Sequence, residues 1–227
     1  MTSTSRGGTG LSAQQIVDAA MALTRRDGLQ GLSMRKLATV LGVTSMAPYA
    51  YFASKEKLIG EITDQVFTQV KVPTDDTTVP WEERLRRFGW AVHDVLVEYP
   101  GVADQIYTYQ RFPPSAVPLV DYGVRVLQDA GFDELRAAEA FDVLASVVIT
   151  RTHFEAHQRL VMAHEPDTSL QDRIRAGWHR LDDALDGEVP GAQTYVDHLD
   201  RAVGATVFER ALDVVLHGLR AELGQHP

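Results

Sequence analysis

Residues 33–58 read SMRKLATVLGVTSMAPYAYFASKEKL, and this stretch decides the fold. Ser33 is a favourable N-cap, and Met34, Leu37, Ala38 and Leu41 follow it at helical spacing. Gly42 stands where that helix must stop, because a left-handed backbone costs glycine nothing sterically. Thr44 is placed to cap a short second helix, in which Tyr49 and Phe52, three apart, share a face. Ser54 then caps a further helix with Lys55 and Lys57 in its first turn. Two short helices joined by a glycine turn make a helix-turn-helix, a shape suited to laying its second helix in a DNA major groove.

The longer run from Leu11 to Leu58 resembles the DNA-binding domain of the tetracycline-repressor (TetR) family. The matching pieces are IVDAAMALTRRDGLQGLSMRKLATVLGV, Tyr49-Ala50-Tyr51-Phe52 and Ser54-Lys55-Glu56-Lys57-Leu58. The resemblance implies that Tyr49 and Tyr51 contact backbone phosphates and that Lys55 takes another. A positive charge at a helix start suits that role for Lys55. Thr44 and Ser45 open the recognition helix, where hydroxyls and backbone amides can meet a phosphate or a base edge. Ser33 and Arg35 can hold phosphate from the first turn of the preceding helix, and Met46 and Ala47 offer apolar contact to thymine methyls. For Tyr49 core packing is an equal alternative; for Phe52 and Leu37 it is the expected role. Pro48 departs from the family, which more often has an aliphatic residue there. Its missing amide and its bias on Ala47 predict a tightened or shifted start to the recognition helix.

A chain of 227 residues holds one or two domains and can bury a real core. It has no cysteine, which excludes disulfides and thiolate metal sites. No charged-then-apolar leader opens it and no apolar run approaches a membrane span, so a cytoplasmic protein away from membranes is expected. The net charge of −9 fits DNA poorly until the chain is divided. Up to Lys57, seven basic residues stand against three acidic ones, a balance of +4, which leaves −13 for the remainder. A basic head on an acidic body suits a molecule that faces phosphate with one end only.

Residues 1–10, MTSTSRGGTG, are small and polar and predict a flexible tail. A first helix runs from about Ser12 to Asp27, with Ile16, Ala20 and Leu23 on one stripe and Gly28 at its end. The helix capped by Ser54 continues to about Val70, longer than a three-helix head needs, so its far end should reach a second domain. Residues 72–80 form a proline-bounded linker. Beyond it, helices are expected from Trp81 to about Tyr99, across Val102 to Gln110, from Pro118 to Ala130 and from Asp133 to Ala163. A modest one ending near Leu185 and a last one from Ala192 to Leu223 complete the series. With no convincing strand and no repeat, the fold class is all-α: a helix-turn-helix domain over 11–57 and a helical ligand-binding and dimerisation domain over 58–227.

In the last helix Val196, Leu199, Val203, Val207, Val214 and Gly218 return every three or four residues, with Ala211 or Arg210 between them. That stripe is longer than one small domain face demands. The family resemblance implies that the helices over 133–163 and 192–223 pack against their copies in a homodimer. Two heads then read a palindrome of double-stranded operator DNA, where one short helix reads too little to specify a site. The resemblance also implies a small-molecule pocket among the middle helices. The bulky or polar residues there are Trp90, His93, Tyr107, Arg111, Phe112, Tyr122, Thr150 and His153, and they suggest an apolar or aromatic effector.

His153 and His157 lie four apart, but the zinc-protease pattern and a third ligand are missing, so no metal or cofactor is expected. His93 and Asp94 are neighbours on a helix and are expected to point in different directions. No constellation carries catalytic roles, which argues against an enzyme. The residues leave open whether the body answers to a small molecule or only dimerises, and whether DNA binding represses or activates.

Overall fold

The computed structural model describes residues 11–72, 77–107, 112–164 and 205–224, with Asp172, Ala176, Gly177, Gly191, Thr194 and Tyr195. Among them stand eight α-helices and no strand. In chain order these are α1 (Ala13–Asp27), α2 (Met34–Leu41), α3 (Lys55–Phe67), α4 (Trp81–Leu96), α5 (Asp104–Tyr107), α6 (Val117–Asp129), α7 (Glu134–His164) and α8 (Ala205–Leu223). The tail over 1–10 and the middle of the expected linker lie outside the described residues, as do, apart from Asp172, Ala176, Gly177, Thr194 and Tyr195, the helix expected to end near Leu185 and the start of the last helix.

Serine hydroxyls start the first three helices. Ser12 and Gln15 form a reciprocal capping box on α1. Ser33 Oγ accepts from the Lys36 N–H at 3.2 Å on α2, and Ser54 Oγ accepts from the Lys57 N–H at 3.3 Å on α3. Gly42 ends α2 with φ 67°, and its N–H returns to the carbonyls of Ala38 and Thr39. Two expected ends move inward: α3 stops at Phe67 rather than near Val70, and α4 at Leu96 rather than near Tyr99. In both, the chain leaves the helix through turns whose N–H groups bond three residues back, as Tyr99 does to Leu96 at 3.1 Å.

Helices α1, α2 and α3 close on one another around Ile16, Leu37, Leu58 and Ile62, all fully buried. Helices α4, α6, α7 and α8 close around Leu85, Leu127, Leu144 and Leu212. Gly123 lets α6 approach α7 closely: a Cβ added there would lie 2.2 Å from Phe141 Cε2. The buried stripe of α8 is Phe208, Leu212, Leu216 and Leu219. The stripe singled out from sequence, Val207, Val214 and Gly218, lies on a neighbouring face, half-buried or exposed. Both faces are apolar at helical spacing, so periodicity alone does not say which one the chain itself covers.

Candidate DNA-binding surface and ligand cavity

Between Gly42 and Ser54 the chain forms no α-helix. A 3₁₀ turn, Ala47–Ala50, occupies the place of the recognition helix. Thr44 C=O accepts from Ala47 N–H at 3.0 Å, Met46 C=O from Tyr49 at 3.1 Å, and Pro48 C=O from both Tyr51 and Phe52. The expected Thr44 side-chain cap is absent, and Met46 stands at the cap position without a side-chain bond. The cause is Pro48, which has no N–H to give and disfavours α angles at Ala47, so the shorter i to i+3 closure wins. The predicted tightening therefore extends over the whole recognition segment.

Ser33, Arg35, Thr44 and Ser45 are exposed, and Met46 is 68% exposed. Ala47 and Lys55 are half-buried. Tyr49 is 44% exposed, which removes the core alternative for its ring. Phe52 packs against the core, and Leu37 is fully buried, both as expected. Ser33 Oγ accepts the Lys36 N–H and keeps its own proton to donate.

Tyr51 is placed differently. Its hydroxyl donates to the carbonyl of Leu11, 40 residues earlier, and fastens the start of α1 to the recognition segment. A proton held there is not available to a phosphate, so the expected phosphate contact by Tyr51 competes with an existing bond.

Asp27, at the end of α1, takes Arg26 Nη2 and Lys36 Nζ, each at 2.7 Å. The hydrogen bonds from Arg26 first, and then from Lys36, hold its carboxyl well below the usual carboxylate range. The bridge to Lys36 ties α1 to α2 and sets the entry angle of the helix-turn-helix.

A cavity of about 360 Å³ lies among α3, α4, α6 and α7. Phe67 closes it from α3, Phe88 and Val92 from α4, Ala116 and Leu119 from the start of α6, and Phe141 and Ile149 from α7. Phe112, 54% exposed, stands at its rim. Among the described lining residues Asp142 is the one charged group.

Of the pocket residues named from sequence, six have described side chains, and among those Phe112 alone lines this cavity. Trp90 turns instead to α8, donating its indole N–H to Glu209 Oε2 at 2.6 Å. His93 is buried, with Nε2 3.1 Å from Glu155 Oε2 and Nδ1 3.1 Å from Asp94 Oδ1. The expectation that His93 and Asp94 diverge is thus corrected: the exposed carboxylate of Asp94 folds back along its own helix. Thr150 is exposed, and His153 Nδ1 lies 2.7 Å from Asp104 Oδ1 on α5. Tyr122 is buried behind the wall, 5.8 Å from the Phe88 ring, with no hydrogen-bond partner for its hydroxyl among the described residues. Arg111 and the side chain of Tyr107 lie outside the described residues.

The residues missed from sequence include Phe67, Phe88, Phe141 and Asp142. Phe88 and Val92 carried a faint signal, four apart on one helix, but core residues share it.

The cavity wall is bonded to the head. Ser115, beside the lining residue Ala116, donates its N–H to Asp64 Oδ1 at 2.9 Å and its hydroxyl to Asp64 C=O at 2.8 Å. Asp64 lies on α3, one turn before the lining residue Phe67 and nine residues after Lys55. Two further ties join the halves: Leu29 N–H donates to Pro100 C=O at 2.8 Å, and the Arg25 guanidinium sits 4.6 Å from the centre of the Tyr99 ring.

An all-helical chain with an exposed helix-turn-helix segment at one end and an apolar cavity among its later helices has the architecture of a DNA-binding regulator. Residues 16–62 match the bacterial regulatory proteins of the tetR family, and residues 72–223 match the tetracyclin repressor-like C-terminal domain. The chain belongs to the tetracycline-repressor family of transcriptional regulators, which are DNA-binding transcription factors and not enzymes. It is 27% identical over 166 residues to an HTH-type transcriptional regulator of Saccharopolyspora erythraea, covering 73% of this chain and 70% of that one. It spans little more than half the length, 56% and 55%, of two other curated relatives.

Among solved structures, a possible TetR family transcriptional regulator from Streptomyces coelicolor superposes with a TM-score of 0.73 at 25% identity, covering 93% of this chain and all of that one. The complex of ActR from the same organism with actinorhodin superposes at 0.66, with 22% identity over 95% of this chain and 99% of that one. At that identity the likeness is one of fold. No described helix is long and apolar enough to cross a membrane.

Proposed function

We propose that this chain is a homodimeric repressor in the cytoplasm that binds palindromic operator DNA and leaves it when a small apolar or aromatic molecule fills the cavity. The observation that carries the reading is the bonded path from cavity to head. Phe67 and Ala116 line the cavity, Ser115 is bonded twice to Asp64, and both Asp64 and Lys55 are on α3. A molecule that parts Phe67 from Ala116 moves α3, and α3 carries the lysine that opens toward DNA.

The division at 11–57 and 58–227 follows the same logic, with α3 belonging to the head at its start and to the body at its end. In the dimer, the two recognition segments sit in successive major grooves about 34–36 Å apart, and a small rotation of α3 in each protomer destroys that spacing. The effector must prefer the displaced arrangement, because a ligand that binds both arrangements equally releases nothing. A coupling of about 1–3 kcal/mol between the two sites is ordinary for such a device.

Thr44, Ser45, Met46, Ala47 and Tyr49 are the groups offered to the groove and its phosphates, with Ser33, Arg35 and Lys55 flanking them on the backbone. Dimerisation through α7 and α8 is supported by the apolar side chains exposed along them, Leu135, Val143, Phe154, Met162 and Val214. The actinorhodin complex of the ActR relative supports reading the cavity as an effector site.

The test is fluorescence-anisotropy binding to DNA fragments from around the protein's own gene, at several salt concentrations. Tight, palindrome-dependent binding by a dimer is expected. Weak binding that is indifferent to sequence across all fragments would sink the repressor reading.

A further inference from the structure

We infer that the cavity selects lipophilic cations, with Asp142 as the counter-charge. The inference rests on reading the cavity as the effector site. Its walls are apolar on four helices and supply four aromatic rings, Phe67, Phe88, Phe112 and Phe141, whose faces attract positive charge. Asp142 is exposed and has no hydrogen-bond or ion-pair partner among the described residues. A cation in the neighbouring groove is already occupied: Phe112 and Val120 also border a groove that holds Arg125, and Arg125 Nε is paired with Asp121 at 3.0 Å.

Charge therefore decides between ligands of the same shape. An anion entering these walls meets a carboxylate and aromatic faces of the same sign, and among the described lining residues no side-chain N–H or O–H donor compensates it. A cation keeps its apolar groups against the phenylalanines and stands beside Asp142 at the wet edge, where neither charge is fully stripped of water. The acidic body, −13 beyond Lys57, raises the local concentration of cations as well, but that field acts on the whole surface and does not depend on one residue.

The experiment is calorimetric titration of the full chain with tetraphenylphosphonium and with tetraphenylborate, two ions of nearly the same shape and opposite charge. The wild-type protein should bind the phosphonium more tightly by about tenfold or more, the size of one partly screened ion pair. Asp142→Asn should remove most of that preference, and Ala145→Phe, which fills the cavity, should weaken both ions. Equal binding of the two ions, tighter binding of the borate, or no binding of either overturns the inference. A phosphonium preference that survives Asp142→Asn overturns it too, since the general acidic field would then be the cause. Operator binding by the same preparation keeps the two readings apart. If the protein grips its operator and shows no preference for the cation, only the ligand class is wrong; if it grips no DNA, the regulator reading fails and the titration result stands alone.

Discussion

Lys55 and Asp27 show how differently two charged side chains serve the same small head. Lys55 is half-buried at the first position of α3, where, on the proposed reading, its ammonium group and the positive end of the helix serve one phosphate. Lys55→Ala should weaken binding about equally on all DNA sequences and lower the slope of log affinity against log salt by about 1, read by anisotropy at four or more salt concentrations. An unchanged slope would remove Lys55 from the phosphate contacts. Asp27 acts inside the fold. Its carboxyl is lowered in the folded state by Arg26 and Lys36, so its contribution is complete above the ordinary carboxylate value of about 4 and is lost as the pH falls toward the lowered one. Thermal melts from pH 7 down to about pH 2 should therefore show Asp27→Asn losing stability at neutral pH and converging on the wild type in acid. A constant gap across the range would mean that packing and not ionisation is responsible.

Helix α3 is the element on which the proposed control turns. It begins at a serine cap beside the proposed recognition segment and ends at Phe67 in the cavity wall. A helix holds its ends at fixed distance and phase, so a displacement at Phe67 is delivered to Lys55 as a rotation and not absorbed between them. The contact of α6 with α7 bounds the same cavity, and Gly123 sets how closely they meet. Gly123→Ala should cost about 1–3 kcal/mol, because the added methyl meets the Phe141 ring and neither helix can retreat without opening the core. The melting temperature should fall, and the displaced Phe141 ring should narrow the cavity, so tetraphenylphosphonium binding should weaken in the same variant. Unaltered stability would mean that Phe141 turns aside freely.

The whole molecule separates its charges, and among the described residues apolar side chains stand exposed on α7 and α8. On the proposed reading the basic end faces phosphate and the acidic remainder keeps the rest of the surface away from it. Along α7 and α8 a leucine, two valines, a phenylalanine and a methionine are exposed among the described residues, and a second copy of the chain is the proposed cover. Val214, 59% exposed on α8, tests this without touching the core. Val214→Glu should shift the protein to monomer in sedimentation velocity and lower operator affinity by about a hundredfold, the loss expected when two linked half-site contacts become one. A Val214→Glu protein that still sediments as a dimer would place the interface elsewhere.

The caps at Ser33 and Ser54, the stop at Gly42 and the all-helical class were legible in the residues because each depends on atoms within four positions of one another. So was the effect of Pro48, whose geometry acts on its immediate neighbours. The clamp from Tyr51 to Leu11 and the bond from Ser115 to Asp64 were not, since they join residues that only folding brings together. The cavity was hidden for a related reason. Its phenylalanines have the composition and spacing of core residues, and a wall differs from a core only in whether the opposite side is filled. The bulky polar residues that looked like ligand contacts, Trp90 and His93 among them, found carboxylate partners on α8 and α7 instead, because a buried polar group is costly until it is bonded. Local chemistry thus wrote the helical class, the serine caps and the stop at Gly42, and long-range packing decided which apolar face became core and which became cavity.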